Sequence, residues 1–337
     1  MNSRIALVDL QSPLGHLGII NFYIKNLKKN ISYFFLNKKI KPYIKEKNIN
    51  FFSYEKNIFL RFLNLISVCN YLISKDVKKI LFLSYEIKFF FIISFYLRYK
   101  KITFFLVEHD TLNLKKKFNF FLNKLIHRSA IRLVYTKNQY FFVKKFFKTD
   151  CYITDHPIIK DNKDLNKLYS NTNIDLNNFT KNYKGFILIP SRFNINFSHL
   201  YSFVEKNKNF LFIVLSKKIK ISKNIIFIEN IRENIIKKVD AIYLPLNDLV
   251  YCYRVSSWIY KGISYNKKII LDNDFTYKFE KKRFDNFIFN TNESLENIIR
   301  NKINIKKSFI KDYNLKLVND LKFLINNNEK LERWPSG

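Results

Sequence analysis

An arginine and two serines stand where the sequence predicts the start of a helix. Arg254, Ser256 and Ser257 follow a short apolar run, Ala241–Leu244, that Pro245 closes. The run has the length of a buried strand, and a serine before an apolar-periodic segment is a helix N-cap signal. The positive end of a helix beyond the carboxyl end of a parallel strand binds anions such as phosphate. The three side chains therefore predict an anion site.

Two histidines also follow predicted strands. His16 comes after the first predicted strand, and Glu108, His109 and Asp110 follow a later one. Histidine changes charge near neutral pH, which suits it to general-base catalysis. A structural interpretation stays open for each group: His16 as the cap of the next helix, and the other three residues as a polar cluster at a strand end.

These residues lie in a chain where apolar strands alternate with amphipathic helices, the pattern of doubly wound parallel sheets. The Asn-, Asp- and Lys-rich residues 160–184 interrupt the pattern and predict a linker or inserted loop. The phenylalanine-rich helices, such as residues 118–125, are expected to be core faces. The predicted organisation is an α/β domain at 1–159, a second at 185–304, a C-terminal helix at 305–330 packing back toward the first domain, and a tail at 331–337.

The charge balance predicts contact with anionic surfaces. The formal net charge is +33, and 47% of the residues are apolar, as expected for a folded protein. No nucleic-acid recognition motif accompanies the charge, so nucleic acid is not an expected partner. A basic N-terminal face toward a membrane is predicted from six lysines close in sequence: Lys25, Lys28, Lys29, Lys38, Lys39 and Lys41.

Cysteine usage and hydropathy predict a cytoplasmic protein. Cys69, Cys151 and Cys252 are odd in number and far apart, without disulfide or zinc-ligand spacing. The N-terminus enters a strand with no signal-peptide pattern. The most apolar helix candidate, residues 89–97, is shorter than the roughly 20 residues that cross a bilayer.

Four local patterns occur in order along the chain. They are SPLGHLG at 12–18, FLVEHD at 105–110, ILIPSR at 187–192, and the stretch 240–274 that ends with NKKIILDND. Together they resemble the GT-B glycosyltransferases, in particular the family-4-like enzymes of bacterial surface polysaccharide synthesis. The resemblance implies two Rossmann-like domains that face each other across a cleft. The chain departs from the family's paired donor-loop glutamates, since Asp248 is the only acid between Pro245 and Asp272.

The resemblance also implies residue roles. It implies catalysis by His16, His109 and Asp110, and donor-phosphate binding by Arg192, Arg254, Ser256 and Ser257. It implies nucleoside contacts from Ser191, Glu229, Asn230 and Pro245, and acceptor contacts from Gly15, Gly18 and Glu108. No metal or other cofactor is implied, because a helix end and arginines can stabilise the leaving diphosphate.

The predicted function is transfer of a sugar from a nucleotide-sugar, with a UDP-sugar favoured, to a glycan or lipid-linked acceptor in bacterial surface polysaccharide synthesis. The predicted location is the cytoplasm, at the inner face of the membrane. Two alternatives stay open. One is a nucleotide-sugar epimerase on the same fold, and the other is a non-catalytic basic protein that binds membranes or nucleic acid on a degenerate GT-B scaffold.

Overall fold

The chain forms two compact units. The computed structural model describes residues 4–11, 16–53, 55, 57–109, 111, 117–160, 176–179, 181–190, 195–215, 223–228, 231, 233–247, 251, 254–272, 275–303, 306 and 308–326. Unit 1 comprises Met1–Pro157, Tyr253–Val255 and Tyr313–Gly337, and unit 2 comprises Ile158–Cys252 and Ser256–Asp312.

Unit 1 contains a seven-stranded parallel sheet in the order β3-β2-β1-β4-β5-β6-β7. Its strands are β1 (Arg4–Asp9), β2 (Tyr33–Asn37), β3 (Ile49–Phe52), β4 (Val77–Phe82), β5 (Thr103–Glu108), β6 (Ala130–Val134) and β7 (Cys151–Ile153). Its helices are α1 (Leu17–Leu27), a 3-10 helix (Lys38–Tyr43), α2 (Ile58–Ser74), α3 (Ile87–Tyr99), α4 (Lys117–Leu125) and α5 (Lys137–Phe147). Central strands are buried along their length because helices cover both faces of such a sheet.

Unit 2 repeats the design with six parallel strands in the order β10-β9-β8-β11-β12-β13. The strands are β8 (Phe186–Ile189), β9 (Leu211–Val214), β10 (Ile225–Phe227), β11 (Ala241–Leu244), β12 (Lys268–Leu271) and β13 (Ile288–Asn290). The helices are α6 (Phe197–Lys206), α7 (Glu233–Lys238), α8 (Ser257–Ser264), α9 (Phe275–Arg283) and α10 (Leu295–Arg300), with a short 3-10 turn at Leu176–Phe179.

The C-terminal helix α11 (Phe309–Asn326) is present, and from Tyr313 onward it belongs to unit 1. The Lys79 ammonium on β4 donates to the carbonyl of Ile325 at 2.6 Å. A lysine near the last turn of a helix donates a hydrogen bond to a carbonyl group that has no partner within the helix. Its positive charge also interacts favourably with the negative end of the helix dipole. The helix is thereby tied to the sheet of unit 1.

One strand and one α-helix of the structure were not predicted. Strand β7 has only three residues and is defined by its pairing with β6, so it gives too short an apolar run to recognise. Helix α9 has no apolar stripe. Its last residue, Arg283, donates from Nη1 to the Tyr260 hydroxyl of α8 at 2.8 Å.

The expectation that helix 118–125 is a core face is wrong for two of its three phenylalanines. Leu122 is buried, and Phe120 packs against the α5 cluster. Phe118 and Phe121, however, are 62% and 58% exposed. Among the described residues, no helix combines the length and apolarity needed to cross a membrane.

Candidate functional site

A carboxylate and a histidine meet at the carboxyl edge of the unit 1 sheet. Asp9 ends β1 and is fully buried, and its Oδ2 lies 3.1 Å from Nδ1 of His16. The Ser84 hydroxyl, just beyond β4, donates to the other carboxylate oxygen. His16 occupies the N-cap position of α1 without making a capping hydrogen bond. The predicted helix-cap role of this side chain is therefore wrong, and the imidazole is oriented by Asp9 instead.

A row of four rings continues from His16 along the same edge. We call His16, His109, Tyr135 and His156 the ring row. Successive ring centroids are 4.5, 5.5 and 5.7 Å apart. The His109 Nε2 lies 3.2 Å from the carbonyl oxygen of Leu83. The Tyr135 hydroxyl is buried and has no hydrogen-bond partner among the described residues.

Burial and nearby charge set the protonation of His109 and Tyr135. Burial lowers the pKa of His109 well below its usual value, and the neighbouring His16 and His156 lower it further. The hydrogen bond to the Leu83 carbonyl acts in the opposite direction and raises the pKa, but it does not outweigh them. Burial likewise raises the pKa of the Tyr135 phenol well above its usual value. At neutral pH the row thus presents a neutral imidazole and a neutral phenol, which can exchange hydrogen bonds with a hydroxyl group.

Glu108 lies next to this edge, inside the sheet. Its carboxylate pairs with the Arg132 guanidinium, and both side chains are almost completely buried, at 4% and 0% exposure. The Tyr85 hydroxyl donates to Glu108 Oε1 at 2.8 Å, and Asn123 Oδ1 accepts from Arg132 at 3.1 Å. Burial alone would lower the Arg132 pKa, but the Glu108 charge opposes it and the pKa is raised. The structure thus places Glu108 in a buried polar cluster, and its acceptor contact stays a prediction.

Two of the predicted phosphate residues, Ser256 and Ser257, lie at the start of α8 in unit 2, whereas Arg254 belongs to unit 1. The helix begins at Ser257, and Ser256 is its buried N-cap residue, but the Ser256 side chain makes no capping hydrogen bond. Pro245 follows β11, as predicted. Asn266 adopts a left-handed φ of 59° just after the helix, a conformation that asparagine tolerates.

A second polar cluster at the carboxyl edge of unit 2 was not predicted. Asp272, just after β12, accepts from the Tyr243 hydroxyl at 3.2 Å and from Thr291 at 3.3 Å. Its Oδ2 lies 3.1 Å from His199 Nδ1, in the geometry of an ion pair and not of an aligned hydrogen bond. We call these four residues the Asp272 cluster. The only sequence signal for this cluster was the position of Asp272 and Asp274 directly after a predicted strand.

Replacement of Asp272 by alanine is expected to lower the free energy of unfolding by roughly 1–3 kcal/mol. The change removes the carboxylate to which two hydroxyl groups donate, one of them on the fully buried Tyr243. Urea denaturation at neutral pH measures the effect. The matched control is His199→Ala, which removes a side chain that is 53% exposed and should change stability by less than about 0.5 kcal/mol. Equal losses in both variants would contradict the prediction.

Several predicted site residues lie outside the described residues. They are Gly15, Asp110, Ser191, Arg192, Glu229 and Asn230. Gly18 lies in the first turn of α1. The described part of the chain holds no group of three or more potential metal ligands, and metal independence stays a prediction.

No protein-family model and no curated protein matches this sequence. The fold itself does match: two doubly wound parallel-sheet units in series, with a C-terminal helix, are the GT-B fold of known glycosyltransferases. A glycosyltransferase from Rickettsia africae ESF-5 is 14% identical, with a TM-score of 0.60, and the match covers 98% of this chain and 97% of that one.

Two further solved structures match at full length. Anabaena Alr3699/HepE in complex with UDP-glucose is 11% identical, with a TM-score of 0.59 and coverage of 96% and 95%. The lipopolysaccharide outer core galactosyltransferase WaaB is 13% identical, with a TM-score of 0.58 and coverage of 96% and 99%. A UDP-N-acetylglucosamine 2-epimerase also shares the fold, at 12% identity and a TM-score of 0.54. At these identities the likeness is one of fold.

Proposed function

We propose that the chain is a glycosyltransferase that binds a nucleotide-sugar on unit 2. The observation that carries this proposal is the start of α8, just beyond the carboxyl edge of the sheet. There Ser256 is buried without capping the helix, so backbone N–H groups of the first turn point toward any ligand bound there. Arg254 lies two residues earlier in the sequence. Cleavage of a sugar–diphosphate bond leaves growing negative charge, which such a helix end and an arginine stabilise.

The ring row of unit 1 supports the other half of the reaction. An acceptor hydroxyl needs a neutral base or hydrogen-bond acceptor as it attacks. The Asp9 carboxylate orients His16, as a carboxylate orients the histidine of a hydrolytic triad. His109 is held neutral by burial. We assign these two histidines, with Asp110 next to His109 in sequence, to acceptor activation.

The structural relatives support the choice of donor and acceptor class. HepE is a complex with UDP-glucose, and WaaB is a lipopolysaccharide galactosyltransferase. We therefore assign a UDP-sugar as donor and a glycan or lipid-linked acceptor of a bacterial surface polysaccharide, used at the inner face of the cytoplasmic membrane. We assign no metal to the reaction.

Nucleotide binding tests this proposal by thermal shift with UDP, GDP, CDP and CMP. A ligand at ~100 times its dissociation constant adds ~2.7 kcal/mol of stability. We expect a shift with UDP that is lost in Arg254→Ala and kept in His16→Ala. A shift that survives in Arg254→Ala would refute the phosphate assignment. No shift with any nucleotide would favour the non-catalytic alternative.

Product analysis separates transfer from epimerisation, which the matched epimerase fold keeps open. A glycosyltransferase releases UDP at a substantial rate only when an acceptor is present. An epimerase converts or hydrolyses UDP-N-acetylglucosamine on its own. Acceptor-independent turnover of that compound would replace the proposed function with epimerisation.

A further inference from the structure

The outer side of one helix layer in unit 1 is unusually apolar. Of the fifteen exposed large apolar side chains in the described chain, eleven lie on the four helices α2 to α5. Six of them are more than half exposed, and we call these six the outer helix face: Phe59, Phe95, Tyr99, Phe118, Phe121 and Phe141. Contiguous exposed apolar surface on a monomer marks an interaction site.

Topology gathers these side chains on one side of the sheet. Helices α2 to α5 connect β3, β4, β5, β6 and β7 in turn, and right-handed crossovers in one direction place all four helices on the same face. Each helix packs against the next. Their inner sides are apolar as well: Val68, Phe90 and Ile93 are fully buried in the core. Each helix thus has apolar side chains both on the side that faces the sheet and on the side that faces solvent.

Within their bounds these four helices carry only positive charge, although two of the cations pair with acids just beyond a helix end: Arg61 lies 2.9 Å from Glu86, and Lys144 lies 3.8 Å from Asp150. The four helices contain eight lysine or arginine residues and no Asp or Glu, although the whole chain has 27 acids. The cations stand among the aromatic rings. The Lys100 ammonium lies 5.1 Å from the Tyr99 ring, and the Lys124 ammonium lies 4.7 Å from the Phe120 ring.

We propose that the outer helix face docks on an anionic phospholipid bilayer. Aromatic side chains with adjacent lysines are the composition that lies in a membrane interface, where rings enter the headgroup–acyl boundary and cations meet anionic lipids. A protein partner fits less well, because the centres of protein interfaces are depleted in lysine. Docking deepens the proposed function, since it brings the acceptor edge of unit 1 to a lipid-linked substrate.

The predicted basic face of α1 and the 3-10 helix is a different surface. Its six lysines are exposed, but none of the exposed large apolar side chains lies on α1 or on the 3-10 helix. Lys28 is also paired with Glu46 at 3.1 Å. Charge without apolar contact gives weak attraction that salt screens. This face therefore supplies the matched control.

Vesicle co-sedimentation tests the proposal with the full-length protein. The vesicles are phosphatidylcholine alone, or phosphatidylcholine with a large fraction of phosphatidylglycerol. We expect binding to the anionic vesicles, weakened but not abolished by salt. The variant Phe95→Ser/Phe118→Ser/Phe121→Ser should lose at least about tenfold in affinity, because apolar insertion supplies the salt-resistant part of binding. The variant Lys25→Gln/Lys29→Gln/Lys38→Gln should bind nearly as wild type.

Three outcomes would overturn the proposal. One is the absence of vesicle binding by the wild-type protein, and another is loss of binding in the lysine variant alone. The third is a dimer in solution that the serine variant turns into a monomer, since the face would then be a protein interface. The UDP thermal shift is measured on the same samples. A retained shift without vesicle binding rejects the docking surface and leaves the proposed function intact, and a lost shift in all proteins rejects the proposed function instead.

Discussion

Replacement of Glu108 by alanine is expected to lower the free energy of unfolding by roughly 3–5 kcal/mol. The change leaves the Arg132 guanidinium, which is fully buried, without its carboxylate partner. Two guanidinium nitrogens, Nε and Nη2, already lack hydrogen-bond partners among the described residues, and the Phe147 ring lies 4.8 Å away. The cluster of Glu108, Arg132, Tyr85 and Asn123 contains no second carboxylate that could pair with the guanidinium. Urea denaturation at neutral pH measures the loss.

Two controls separate a buried ion pair from any other effect of the substitution. Glu46→Ala breaks the exposed pair with Lys28, whose side chains are 46% and 53% exposed, and should change stability by less than about 1 kcal/mol. The double variant Glu108→Leu/Arg132→Leu should recover much of the loss, because apolar pairs often replace buried ion pairs without cost. Near-wild-type stability of Glu108→Ala, with loss of acceptor use, would assign the carboxylate to the acceptor site instead.

The sheet architecture could be predicted because each central strand is an uninterrupted apolar run. Strand β11 is buried at all four positions, and its predicted bounds are the observed ones. Helix α9 could not be found in this way, since it has no apolar stripe and contacts Tyr260 of α8 through Arg283. The exposure of the aromatic residues of α4 was not predicted for a related reason. A periodic pattern identifies a helix but does not tell how many of its sides are apolar.

The polar constellations depend on which strands become neighbours. Asp9 and Ser84 are 75 residues apart, and only the pairing of β1 with β4 brings them into contact. The ring row depends in the same way on the order β1-β4-β5-β6. His16 and His109 were found because each follows a strand that could be recognised. Tyr135 also follows a strand, and His156 precedes the predicted linker, but only the sheet order relates these two residues to the site.

The stability of the protein is expected to fall on acidification because of His109. Burial, His16 and His156 depress the pKa of this histidine in the folded state, whereas in the unfolded chain it is about 6.5. Between these two values the unfolded state binds a proton that the folded state does not. The contribution is therefore complete above pH 6.5 and is lost as the pH falls, with a slope of at most about 1.4 kcal/mol per pH unit.

The measurement compares urea unfolding of the wild type and His109→Gln at pH 7.5 and 5.5. We expect the wild type to lose about 1 kcal/mol more than the variant over this interval. His199→Gln, in which the half-exposed histidine is replaced, controls for the loss of a histidine as such. Identical pH dependence in wild type and His109→Gln would mean that folding does not depress the His109 pKa. His109 would then be protonated below pH 6.5. The proposed transfer would lose its neutral base in that pH range, whereas a depressed pKa would keep His109 neutral there.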